Sequence, residues 1–124
     1  FACPYFTYSS RKQAVRNKKY YPVDPGLRLA VVNTSSPDLG KSLENTVFLA
    51  LRRKYGKVFY WRDRGEVDFV VMRDGKAIPI QVTWEGTKPR HQQSLEQFYE
   101  AHPHASEAIF LTQMDLRDDF ERLP

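Results

Sequence analysis

A chain of 124 residues with 41% hydrophobic and 14% aromatic content suffices for one domain with a core. No apolar run approaches the ~20 residues that span a bilayer, and no signal peptide is visible. The single cysteine, Cys3, excludes an internal disulfide and a cysteine zinc site and fits a reducing, cytoplasmic compartment. The net charge of +4 is unevenly spread: residues 1–60 hold 11 Lys/Arg against 3 Asp/Glu, and residues 61–124 hold 8 against 12. A basic first half permits contact with nucleic acid.

The chain begins at Phe1 and not at Met, which reads as a piece of something longer. Residues 1–35 read as a lead-in segment and 36–124 as the domain proper. Phe1 to Ser10 is aromatic without a period and looks like the tail of a preceding element. Arg11, Lys12, Arg16, Lys18 and Lys19 form a basic run, either a solvated face or a phosphate contact. Tyr20 to Val23 reads as extended, Asp24-Pro25-Gly26 as a turn, and Leu27 to Val32 as an apolar run before a polar loop.

A helix is predicted over 36–56, with Ser36 as N-cap, Pro37 at the first helical position, and Gly56 as the stop. Leu43, Val47, Phe48, Ala50 and Leu51 give its buried stripe. Glu44 sits at the edge of that stripe. A carboxylate there is either a rim residue with its head in water or a paired or metal-bound group. Gly40-Lys41-Ser42 lacks the first glycine and the preceding strand of a phosphate loop. Arg52, Arg53 and Lys54 make the helix end basic.

Val58 to Trp61 reads as a short strand, followed by Arg62-Asp63-Arg64-Gly65. Two apolar runs, Glu66 to Arg73 and Lys76 to Thr83, are joined by Asp74-Gly75, a strong hairpin signal because a tight primed turn needs positive φ at both central residues. The two-residue turn sets Arg73 opposite Lys76, hence Asp68 opposite Gln81 and Glu66 opposite Thr83. Alternation then puts Val67, Phe69, Val71, Ile78, Ile80 and Val82 on one face and Glu66, Asp68, Gln81 and Thr83 at one end of the other. Val70, Met72, Ala77 and Pro79 share that second face. Apolar neighbours make the polar cluster a candidate site and not a wet surface.

Thr87 is the predicted cap of a helix with Pro89 in its first turn. Leu95, Phe98 and Tyr99 form its stripe, expected beside Phe69 and Ile80, and Pro103 ends it. Glu107 to Thr112 is a strand, and Asp115 to Phe120 a short acidic helix or turn. His91, His102 and His104 lack metal-ligand spacing and read as surface residues.

A glutamate in the first helix (Glu44), an aspartate in the second strand (Asp68) and the triplet Gln81-Val82-Thr83 in the third resemble the PD-(D/E)XK nuclease superfamily. Leu43-Glu44-Asn45, Leu51-Arg52-Arg53, Tyr60-Trp61-Arg62, Glu66 to Val70 and Ile78 to Val82, with Tyr20 to Leu27 ahead of them, are similar to a nuclease-like domain of unknown function. That domain lies at the C-terminus of archaeal and bacterial predicted AAA-type ATPases. The resemblance covers roughly residues 18–112. It implies an α/β fold in α-β-β-β-α-β order, with a mixed sheet of about four strands flanked by helices, and an ATPase part upstream of Phe1.

The resemblance also implies a catalytic set of Glu44, Asp68, Gln81 and Thr83, with Glu44, Asp68 and Gln81 holding Mg²⁺ or Mn²⁺ weakly or not at all. Such an ion would polarise a phosphate and help to ionise water. Two departures weaken that set. Gln81 is neutral where a carboxylate is expected, and Thr83 lacks the positive charge of the motif lysine. Arg62, Arg64, Lys76 and Lys88 are the substitutes considered. Nucleic-acid contact is expected from Arg52, Arg53, Lys54, Arg62 and Arg64, on DNA without sequence preference. The expected function is a nuclease-fold module contacting nucleic acid for its parent ATPase, with little or no metal-dependent cleavage. The alternatives are an inactive interaction or regulatory module and an active Mg²⁺-dependent DNA endonuclease.

Overall fold

The computed structural model describes residues 1–22 and 39–124. The expected turn at Asp24-Pro25-Gly26, the apolar run at 27–32 and the helix start at Ser36-Pro37 lie outside the described residues. In chain order the elements are β1 (Ala2–Cys3), α1 (Ser10–Val15), β2 (Lys19–Tyr20), α2 (Leu39–Tyr55), β3 (Phe59–Arg62), β4 (Glu66–Arg73), β5 (Lys76–Val82), α3 (Pro89–Ala101), β6 (Ile109–Leu111) and α4 (Gln113–Arg117). Strands β3-β4-β5-β6 form one mixed sheet, antiparallel except for the β5–β6 pair. The chain is therefore α/β, with a four-stranded mixed sheet flanked by helices. Among the described residues no helix is long and apolar enough to cross a membrane.

The hairpin forms as its sequence requires. Asp74 and Gly75 both adopt positive φ, 53° and 78°, and the ladder runs from Arg73↔Lys76 to Phe69↔Ile80. Counting from the turn, Val70↔Pro79 is a non-hydrogen-bonded pair, so proline's missing N–H costs no bond to β4. On its other side, β6 begins pairing only at Ile80↔Ile109. A proline in an inner strand is tolerated because neither neighbour asks for its donor.

Beyond Phe69 the expected register fails. Strand β3 pairs Phe59 with Val70 but Trp61 with Val67. One residue, Tyr60, thus faces two on β4, Asp68 and Phe69, which is a β-bulge. The bulge interrupts alternation. Phe69 and Val71 stay in the core beneath α2, whereas Val67 joins Val70 in a second cluster beneath α3. The placement of Val67 on the Phe69 face is corrected accordingly. The pairs Asp68–Gln81 and Glu66–Thr83 are not part of the ladder.

Helix α2 buries Leu43, Val47, Phe48 and Leu51 completely, against Phe69, Val71, Ile78 and Ile80. Helix α3 covers the opposite face. Leu95 and Phe98 pack with Trp61, Val67, Val70 and Ala77, with Tyr99 at their side. The expectation that they lie beside Phe69 and Ile80 is therefore corrected: α2 already fills that face, and α3 takes the apolar half of the other. At its start, Lys88 and not Thr87 is the N-cap, with Pro89 next. Helix α4 starts at Gln113, two residues before the acidic stretch, because the Thr112 side chain accepts from the Met114 N–H. Asp115 is buried and ion-paired to Arg122 at 2.6 Å.

The N-terminal segment is built into both cores. Cys3 is fully buried beneath α2 and Phe6 is buried beneath α3. Tyr5 bridges Tyr60 in parallel, with the Phe6 N–H on the Tyr60 carbonyl at 2.7 Å. Two aromatic residues with the right spacing thus staple the segment to the sheet edge.

Two substitutions check this packing. Phe98 is fully buried, its ring edge-on to Trp61 at 5.5 Å. Phe98→Ala should cost about 3–5 kcal/mol in a denaturant titration and change the Trp61 fluorescence. Gly65 stands so close to α3 that a Cβ there would lie 3.2 Å from the Ser94 backbone, besides striking its side chain. Gly65→Ala should cost about 1–3 kcal/mol, and an unchanged midpoint would show that the β3–β4 loop is not seated on α3.

Candidate functional site

The strand ends beyond the bulge are held by side chains instead of a ladder. Gln81 is 1% exposed. Its Nε2 donates to the Glu66 carbonyl at 2.9 Å, and its Oε1 accepts from the Asp68 N–H at 3.1 Å. In return Asp68 Oδ2 accepts from the Val82 N–H at 2.8 Å. Each side chain satisfies backbone groups that the bulge has taken out of register.

Around this joint the chain forms a cleft of about 660 Å³ whose lining includes Glu44, Glu66, Asp68, Gln81 and Thr83. The fold thus brings together the four residues of the expected catalytic set, with Glu66 added. Glu44 reaches it from α2 and accepts the Tyr21 hydroxyl hydrogen bond at 2.6 Å. Tyr21 is itself fixed by stacking on Phe48, centroids 4.4 Å apart. Burial and the Glu44 charge push the Tyr21 phenol up, so it remains a donor. Glu66 is ion-paired to Lys19 and, at 3.2 Å, to Arg62. Burial first, then the Glu44 charge, raises Asp68 from 3.8 to about 7, against the opposing Val82 N–H bond.

Thr83 turns its hydroxyl to the Gly86 carbonyl at 2.8 Å and so closes the turn after β5. The cations of the cleft are Lys41, Arg64, Lys88 and Arg90. Of the residues expected to contact nucleic acid, Arg64 lines the cleft and Arg62 stands at its edge, paired to Glu66. Arg52, Arg53 and Lys54 are elsewhere, on the last turn of α2. Arg52 covers the Phe1 ring at 3.5 Å, Lys54 donates to the Leu123 carbonyl at 2.6 Å, and Arg53 lies with Asp119 and Glu121. More than two helical turns separate them from Glu44. Lys76, at the hairpin tip, lines a different depression.

The surface reading of the histidines is corrected for His91. It is buried, and its Nδ1 accepts from the Lys88 N–H at 3.0 Å, closing the start of α3. Burial holds its imidazole below the usual range. His102 is half-buried, against Phe98 at 4.9 Å. Sequence reasoning missed Lys19, Tyr21, Lys41 and Arg90. Tyr21 lies in a string that carried the resemblance, but nothing local signals Lys19, whose partner is 47 residues away.

The fit of a divalent ion follows from these contacts. Among the described residues no three His, Cys, Asp or Glu side chains are arranged to hold a metal. The reason is visible: Glu44 is bonded to Tyr21, Glu66 to Lys19 and Arg62, Asp68 to Val82, and both ends of the Gln81 amide to β4. As folded, a divalent ion would have to compete with these partners for its oxygen ligands, and both oxygens of Glu66 and both ends of the Gln81 amide are already taken.

Gln81→Glu would place a carboxylate against the Glu66 carbonyl and lose a donor there. It should destabilise the domain by about 1–3 kcal/mol, and a stability gain would refute the bridging role. For Asp68, the folded pKa lies above the ordinary one, so the native state holds the extra proton. Its contribution is full below pH 3.8 and is lost as pH rises through about 7. Stability from this group should fall across that window by at most about 1.4 kcal/mol per pH unit. Asp68→Asn, which keeps an acceptor for Val82, should flatten the decline in denaturation series run from pH 4 to 8.

Residues 39–122 match the DUF4143 family, a domain of unknown function. An uncharacterized protein of Haemophilus influenzae is 32% identical over 77 residues, a stretch covering 61% of this chain and 19% of that protein. The chain thus matches about a fifth of that relative's length. No solved structure matches. On the family match, which takes in α2 and every strand of the four-stranded sheet, the chain belongs to the DUF4143 family.

Proposed function

We propose that this domain is a PD-(D/E)XK-type nuclease-fold module of a larger, cytoplasmic ATPase-bearing protein. In this reading its cleft contacts the nucleic-acid backbone without metal-dependent cleavage. One observation carries it: Glu44, Glu66 and Asp68 are each held by internal partners, Glu66 by two cations, while Lys41, Arg64, Lys88 and Arg90 line the same cleft. Cations from α2, the β3–β4 loop and the start of α3 suit a chain of phosphates, and a contact of this kind carries no base readout. The positions of Glu44 on the first long helix, Asp68 on β4 and Gln81 to Thr83 at the end of β5 support the nuclease-like fold. The small share of the Haemophilus influenzae protein that is matched supports a module within a longer chain.

Fluorescence anisotropy with labelled duplex DNA in excess chelator is the test. Binding should be indifferent to sequence. It should weaken with salt at a log–log slope of about −3 to −4 if all four cations engage phosphates. The triple variant Arg64→Ala/Lys88→Ala/Arg90→Ala should abolish most of it, whereas Arg52→Ala/Arg53→Ala/Lys54→Ala should leave it intact. Absence of binding at low salt would favour an interaction module instead. Plasmid nicking that requires Mg²⁺ and disappears in Asp68→Asn would establish the endonuclease.

A further inference from the structure

The charge balance of the cleft has an owner that the β5 motif does not supply. Lys19 lies on β2, opposite Cys3 of β1. Its ammonium is ion-paired to Glu66, which also receives Arg62. The Lys19 side chain is 25% exposed, so most of it is withdrawn from water, and its head stands 5.1 Å from the centre of the Tyr60 ring. Tyr60 in turn donates to the Asn17 carbonyl, which anchors the turn before β2. Two residues on, Tyr21 delivers its hydroxyl to Glu44. The short stretch from Lys19 to Tyr21 therefore reaches two of the three carboxylates directly. The field of Lys19 is felt at the third, Asp68, and at the Cys3 thiol, where Glu44 and Glu66 are felt too.

Charges buried in this way need a counter-charge, since two carboxylates in one half-dry cleft repel each other strongly. A divalent ion and an ammonium answer the same need. Lysine differs in being tethered and in carrying its three donors at no concentration cost.

We propose that Lys19 is the resident cation of the Glu44–Glu66–Asp68 cluster and the residue that decides its cation specificity, occupying by way of the N-terminal segment the place a divalent ion would otherwise take. This rests on the reading of the cleft as metal-free. That reading is tested separately by DNA binding in chelator, an experiment in which Lys19 is not varied.

The test is a calorimetric Mn²⁺ titration of wild type, Lys19→Met, Lys19→Arg and the double variant Lys19→Met/Asp68→Asn, none of which depends on activity. Lys19→Met should bind Mn²⁺ at least about tenfold more tightly than wild type, the double variant should lose that gain, and Lys19→Arg should behave as wild type. Equal Mn²⁺ affinity in wild type and Lys19→Met overturns the proposal. If both bind, Lys19 is not in the ion's place; if neither binds, the cluster is no cation site. A gain that survives Asp68→Asn overturns it as well. Should Lys19→Met fail to fold, amine labelling of the wild-type protein read by mass spectrometry decides. The Lys19 amine should react several-fold more slowly than that of its exposed neighbour Lys18, and equal rates overturn the assignment.

Discussion

The site depends on one mismatch, the extra residue that β4 places opposite Tyr60. A bulge leaves main-chain donors and acceptors without ladder partners, and each would cost about 1–3 kcal/mol if buried and unpaired. Here the repair is made by side chains. The Gln81 amide is the right length and has both a donor and an acceptor, so it spans the Glu66 carbonyl and the Asp68 N–H together. Asp68 completes the joint by taking the Val82 N–H. A carboxylate at 81 could accept but not donate, which gives the glutamine a structural reason independent of metal chemistry. The same joint opens the end of the sheet into a cleft between α2 and the start of α3.

Electrostatics follow from that opening. Burial first, and then the Glu44 and Glu66 charges, raise Asp68 to about 7. Two of the groups that hold these acids come from far away in sequence, and the third, Arg62, stands four residues before Glu66. Tyr21 and Lys19 precede α2, and Arg62 ends β3. The cations that remain at the cleft, Lys41, Arg64, Lys88 and Arg90, stand on three different parts of the chain.

The hairpin was legible because Asp74-Gly75 and the alternating apolar residues act locally, and the observed pairing from Arg73 to Phe69 is the one they dictate. The polar residues that share a face with Val70 and Met72 in the sequence pattern line the cleft. The bulge was not legible: a pure alternation from Val67 to Val71 hides the extra residue, whose position is set by pairing with β3. Its invisibility misassigned Val67, and treating the sheet as having one core face misassigned Phe98. Lys19 was read only as part of a basic run, since an ion pair spanning 47 residues leaves no local pattern. The basic helix end at Arg52 to Lys54 lies away from the cleft. Charge alone drew it toward the site, while its partners are Phe1 and the C-terminal residues.

The staple formed by Pro4 to Phe6 has a consequence for how this domain meets other chains. Strand β3 is the outer strand of the sheet, and its Tyr60 amide and carbonyl are taken by the Pro4 carbonyl and the Phe6 N–H. At the other margin Arg122 donates to the Phe110 carbonyl of β6. Unpaired edges invite strand addition, and covering them is a recognised defence. Any visiting strand that sought β3 would have to peel Pro4–Phe6 away. The peeled stretch is continuous with β1, whose Cys3 pairs with Lys19 of β2, so lengthening the sheet and holding Lys19 against Glu66 are competing states of the N-terminal segment.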